Sequence, residues 1–131
     1  MIIVDTTVWI DYLGGITNLQ TSWLDRELGR QRLGLTDIIL CEVLQGVRGD
    51  AAFNQVRRDL LKFEIFATGG IELALAAALN YRSLRRHGYT VRKTIDCIIA
   101  SFCLREGHWL LHRDRDLDPF EKHLGLRVVH P

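Results

Sequence analysis

The sequence predicts a three-layer α/β/α domain built on a central, mainly parallel sheet. Short, nearly continuous apolar runs alternate with longer segments of helical periodicity, which is the pattern of strands joined by crossover helices. The strand candidates do not alternate apolar with polar residues, as expected of strands covered on both faces. The chain has 131 residues, 47% of them hydrophobic. That is enough for one ordinary core and too little for two good ones, so a single domain spanning 1–131 is expected.

Ile2-Ile3-Val4 reads as a buried strand that stops at Asp5. Thr7 to Leu13 reads as a short helix stopped by Gly14-Gly15. Leu19, Trp23, Leu24 and Leu28 form a helical stripe that ends before Arg30–Arg32, and Leu33-Gly34-Leu35 is the second strand. Thr36 or Asp37 can cap a helix carrying Ile38, Cys41, Val43 and Leu44, with Gly46 and Gly49 ending it. A helix follows Asp50 with Phe53, Val56, Leu60 and Leu61 on one side, and Phe63–Phe66 is a further strand. The alanine-rich run Ile71–His87, closed by Gly88, is the clearest helix. Thr94 is expected to cap the next one, whose Ile95, Ile98, Ile99, Phe102 and Cys103 repeat at helical spacing up to Gly107. Trp109-Leu110-Leu111, a helix over Leu117–Leu124 and the strand Arg127-Val128-Val129 complete the chain.

Composition excludes several classes. A charged fraction of 25% with two prolines argues against a disordered or collagen-like chain. The net charge of +1 argues against a general polyanion coat. Cys41, Cys97 and Cys103 form no paired motif and each stands in an apolar run, so each is expected to be a buried thiol in a reducing compartment. No apolar stretch nears the ~20 residues of a membrane span, and Asp5 interrupts an N-terminus without basic residues, so a cytoplasmic protein is expected.

Parallel sheets place their ligand sites at the carboxyl ends of the strands, which makes the positions of the acids informative. Asp5 stands where the first strand stops, Glu42 in the first turns of the helix after the second, and Asp96 in a helical first turn. Asp114 and Asp116 follow the Trp109–Leu111 strand. Any one of them reads as a cap or a surface acid, but together they can converge on one sheet edge. Two carboxylates ~5 Å apart repel by roughly 3 kcal/mol at an effective dielectric of 20. A cluster of four therefore takes up protons or a cation. Such an all-oxygen set suits Mg²⁺ or Mn²⁺ rather than Zn²⁺, and the matching chemistry is metal-assisted phosphodiester hydrolysis.

Four ordered motifs then carry a resemblance. Met1-Ile2-Ile3-Val4-Asp5-Thr6-Thr7-Val8-Trp9-Ile10 resembles the opening of a PIN domain. The stretches Ile39–Gly46, Tyr89–Ala100 and Leu110–Leu117 resemble its second, third and fourth motifs. In length and wording the chain is most similar to the VapC-type toxins. That resemblance implies a PIN-like α/β/α fold and a Mg²⁺- or Mn²⁺-dependent endoribonuclease. It also implies an RNA substrate, a cognate VapB-like antitoxin, and assembly as a homodimer or, with the antitoxin, a heterotetramer or larger. Carried over by position, it assigns Asp5, Glu42, Asp96 and Asp114 to the metal site, with Asp116 a further ligand or water-holder and Thr7 supporting the site. Two positions depart from the pattern. His112 stands where Thr or Ser is common, which puts a hydroxyl contact there in doubt, and Leu117 replaces a frequent Phe.

Charge is uneven along the chain. Residues 1–79 hold 7 Lys/Arg and 10 Asp/Glu, whereas residues 80–131 hold 10 and 6, so the basic half is the one carrying Asp96 and Asp114. Arg92, Arg113 and Arg115 adjoin the acids and are the candidate contacts to an RNA backbone. Arg82 and Arg85 fit a solvated helix face equally well. The non-enzyme alternative is a catalytically silent PIN-like module that holds RNA or a partner.

Overall fold

The computed structural model describes residues 1–131. Five strands form one sheet: β1 (Ile2–Val4), β2 (Leu33–Thr36), β3 (Glu64–Phe66), β4 (Trp109–Leu111) and β5 (Arg127–Val128). Their order is β3-β2-β1-β4-β5 and every pairing is parallel, with Ile3 opposite Gly34 on one side and Leu110 on the other. The chain therefore winds outward from β1 in one direction and resumes at β4 in the other. The strand order reverses between β1 and β4, and such a reversal opens a crevice at the carboxyl ends of the two strands.

Seven helices cover the sheet: α1 (Thr6–Leu13), α2 (Leu19–Glu27), α3 (Asp37–Gln45), α4 (Asp50–Leu60), α5 (Ile71–Arg86), α6 (Thr94–Glu106) and α7 (Asp118–Leu124). Packing separates them into two groups, α1–α4 on one side and α5–α7 on the other, which is the expected three-layer α/β/α arrangement. One cluster of 25 buried hydrophobic residues, centred on Ile3, Val4, Leu110, Leu111 and Ile99, joins the layers. Leu117, in place of the frequent Phe, is fully buried within it.

Local chemistry explains most element boundaries. Asp5 caps α1, Asn18 caps α2 through a capping box with Thr21, and Thr36 caps α3 by accepting the Ile39 N–H at 3.1 Å. Gly107 ends α6 in the left-handed conformation at φ 71°, which only glycine adopts without strain.

Several expectations are corrected. Thr94 does not cap α6. It is the first helical residue, Lys93 holds the cap position, and no side chain there bonds the helix end. Cys41 is exposed, because α3 turns Ile39 and Val43 inward and places Cys41 on its outer face. Of the residues expected on the inner side of α4, Leu60 is buried while Phe53 and Leu61 are exposed. β5 ends at Val128, and a single 3-10 turn at Arg115–Leu117 precedes α7. No helix is long and apolar enough to cross a membrane.

Candidate active site

The crevice between β1 and β4 receives the acids. Asp5 follows β1 directly and is almost fully buried. Its Oδ2 accepts the Thr7 hydroxyl at 2.7 Å and the Thr7 N–H at 3.2 Å, so one carboxylate both caps α1 and is held at the strand end. Thr7 Oγ1 in turn accepts the Arg113 N–H at 3.1 Å, tying the loop after β4 to the start of α1. Thr6 performs the matching task for Glu42, donating its hydroxyl to Oε1 at 2.7 Å across the α1–α3 contact.

Asp96 sits in the first turn of α6, with 7% of its surface exposed. Its Oδ2 is buried and has no hydrogen-bond partner. One oxygen each from Asp96, Asp114 and Asp116 lie within 4.8 Å of one another. Asp114 and Asp116 come from the segment after β4, where Asp114 Oδ1 accepts the Asp116 N–H at 2.9 Å. Burial, followed by the charges of Asp5, Asp114 and Glu42, pushes the Asp96 carboxyl up to about 7; nearby Lys93 opposes this only in part. Burial also raises Asp5, against the bonds from Thr7.

Buried polar atoms without a partner are rare in native proteins because their desolvation is uncompensated. Three converging carboxylates, one bearing such an oxygen, form the donor set that a hard divalent cation satisfies. The tightest group is thus Asp96, Asp114 and Asp116. Asp5 and Glu42 stand outside it, close enough to act on Asp96 through their charge.

The arginines are placed less uniformly. Arg92 pairs with Asp116 at 3.0 Å, and Arg113 reaches Asp11 at 3.5 Å, whereas Arg115 makes no ion pair. All three line one cavity of about 540 Å³ together with Asp114 and Asp116.

Two roles were not assigned from the sequence. Thr6 lies 36 residues from Glu42, and only the α1–α3 packing brings them together. His112 is buried, and its Nδ1 accepts the Asp114 N–H at 3.1 Å. At this departure from Thr or Ser, a ring nitrogen and not a hydroxyl contacts the Asp114 backbone. Accepting at Nδ1 makes the neutral ring an Nε2–H donor. That Nε2 is buried and unpartnered, with Asp118 Oδ1 at 4.0 Å, too far for a hydrogen bond. Burial keeps the imidazole below its ordinary pKa, as suits a ring whose Nδ1 must stay an acceptor.

Comparison with known proteins yields consistent relatives. The family model of the PIN domain matches residues 2–122. VapC ribonuclease Mb1587 of Mycobacterium bovis and Ribonuclease VapC11 of Mycobacterium tuberculosis are each 31% identical over 132 residues, covering 98% of both chains. Among solved structures, the fold is similar to VapBC2 from Rickettsia felis, solved bound to a DNA fragment from its promoter, with a TM-score of 0.77, 16% identity and 98% of each chain covered. It is also similar to FitAcB from Neisseria gonorrhoeae, with a TM-score of 0.73, 21% identity and coverage of 100% of this chain and 98% of that one.

Proposed function

The chain belongs to the PIN-domain family, alongside its VapC ribonucleases, and from that membership we propose that it is a single-domain, divalent-cation-dependent endoribonuclease, the toxin of a VapBC-type pair. The observation that carries the reading is the convergence of Asp96, Asp114 and Asp116 within 4.8 Å at the β1–β4 crevice, with Asp96 Oδ2 buried and unpartnered.

In this reading Asp96, Asp114 and Asp116, with Asp5 and Glu42 behind them, hold Mg²⁺ or Mn²⁺. When bound, such an ion offsets charge on the scissile phosphate and lowers the pKa of a coordinated water. The chain's own residues supply positioning. Thr7 and Thr6 fix the rotamers of Asp5 and Glu42. His112 fixes the segment that carries Asp114. Arg113 and Arg115 offer cationic contacts for the phosphates flanking the scissile bond. Arg92, already beside Asp116, neutralises the acidic side of the cavity.

The partners follow from exposed apolar surface, which marks interaction sites when it is contiguous. Ile71, Leu75 and Leu79 recur along one face of α5 at 81%, 61% and 65% exposure, a face suited to a second copy of the chain. Ile10, Leu13, Ile16 and Leu19 form a second exposed group at α1 and the start of α2, suited to a VapB-like antitoxin in a cytoplasmic complex. Trp9, from the same N-terminal motif, lies in the core instead.

The test is cleavage of RNA by protein freed of co-purifying nucleases. Cleavage that needs Mg²⁺ or Mn²⁺, stops in EDTA and is lost in Asp96→Asn is expected. No cleavage with either ion, or cleavage by Asp96→Asn at the wild-type rate, rejects the reading.

A further inference from the structure

The cavity lined by Asp114 and Asp116 does not end at them. It abuts a second one of about 720 Å³, and the two share Val128, Val129 and His130 at the open edge of the sheet. Gln20 lines the first cavity and Trp23 the second; three residues apart on α2, they stand on one face of that helix. A continuous trough therefore runs between α2 and edge strand β5. Its start holds Asp114 and Asp116, beyond the carboxyl end of β4, and its far end is Trp109 at the amino end of β4.

The chemistry changes along the trough. The second cavity contains no carboxylate; its charged side chains are Arg30 and Arg32. Arg32 pairs with Glu64 at 2.8 Å, but Arg30 is exposed with no carboxylate partner. Trp23 is half-buried, and Trp109 leaves 42% of its surface open, unusual for an indole in a strand next to the sheet's edge. Flat aromatic faces beside an unpaired cation, in a stretch lined by no acid, are the components that bind single-stranded nucleic acid: rings stack on bases and cations meet phosphates. An acidic polypeptide would meet the cations but leave the indole faces unused.

We propose that this trough carries the RNA strand away from the cleavage site, with Trp23 and Trp109 stacking on unpaired bases and Arg30 contacting the backbone. The proposal rests on the ribonuclease reading, since it names the path taken by that site's substrate.

The test compares a dinucleotide, which leaves one nucleotide on each side of the scissile bond, with an unstructured dodecanucleotide RNA that extends along the trough past Trp109. The wild type is expected to favour the longer substrate in kcat/KM by about tenfold, the scale of base–aromatic stacking. Trp109→Ala and Arg30→Ala should each reduce that preference, and Arg30→Ala guards against a folding failure because its side chain is exposed and unpaired. An undiminished preference in both variants overturns the proposal. Should the wild type cleave neither RNA, the ribonuclease reading fails separately. Tryptophan fluorescence in EDTA then decides the trough: quenching by the dodecanucleotide that is lost in Trp109→Ala supports it, and absent quenching overturns it. Quenching by a polyglutamate peptide as strong as by RNA assigns the trough to an acidic polypeptide and also overturns it.

Discussion

The buried imidazole of His112 accepts the backbone N–H of Asp114 at 3.1 Å, so a histidine two residues upstream sets the direction of a carboxylate in the acidic cluster. Removing the acceptor leaves a part-buried N–H unpaired, a cost of about 1–3 kcal/mol. Asn, Ser or Thr can offer an oxygen to the same N–H in a local turn. His112→Ala is therefore expected to weaken Mn²⁺ binding by about fivefold or more, and His112→Thr to restore most of it. Titration of free Mn²⁺ by electron paramagnetic resonance checks both. Equal affinities for wild type and His112→Ala would show that the contact does not position Asp114.

Asp96 gives the metal-free protein a pH dependence. Its carboxyl is raised from 3.8 to about 7, so between those values the native state holds a proton that the unfolded chain has released. Stability is full below about pH 4 as far as this group is concerned, and falls as pH climbs through 7. At 1.36 kcal/mol per pKa unit the loss reaches at most about 4 kcal/mol, and the raised Asp5 acts in the same direction. Calorimetry in EDTA should show a melting temperature several degrees lower at pH 8 than at pH 5. Asp96→Asn should flatten the dependence, and Mn²⁺ should recover stability at pH 8. A melting temperature that rises toward pH 8 in EDTA contradicts this.

The thiols should separate by location. Burial pushes Cys97 up to about 11 and Cys103 up to about 12, with Asp96 and Asp5 adding to the respective shifts, while Cys41 lies exposed on α3. Thiolate is the reactive form. Native protein at pH 8 is expected to react with Ellman's reagent rapidly at one thiol and at all three only in denaturant. Rapid reaction at Cys97 or Cys103 in the native protein would mean the α6 packing is wrong.

Gly34 tests the sheet. A Cβ there would stand 2.9 Å from the Glu64 carbonyl oxygen and 2.9 Å from Met1 Sδ. The sulfur can move, but the β3 backbone cannot move without disturbing the β2–β3 ladder. Gly34→Ala is expected to destabilise by about 1–3 kcal/mol, read as a lower urea midpoint at unchanged slope. A variant as stable as wild type would contradict the register.

Much of this architecture was legible in the residues because its signals are local. Ile2–Val4 and Trp109–Leu111 announce strands by their apolar runs, and with the strands located, Asp5 and Asp114 fall at carboxyl ends. Thr36 and Asp37 both read as possible caps and the structure selects Thr36, whereas Thr94 announced a cap displaced by a residue, because nothing local distinguishes a cap from a first helical residue. What stayed hidden depends on long-range placement. The Thr6–Glu42 bond, the Arg92–Asp116 pair 24 residues apart and the outward turn of Cys41 are set by which helix faces which. His112 was seen as a departure, but its role required knowing where Nδ1 points.

The most direct test of the site is a crystal of the protein grown with Mn²⁺ and measured at the manganese absorption edge. An anomalous peak between the carboxylates of Asp96, Asp114 and Asp116, absent from crystals of Asp96→Asn, is the predicted result. Saturating Mn²⁺ with no peak in that crevice, or with peaks only elsewhere on the surface, would contradict the assignment of these acids to a catalytic cation.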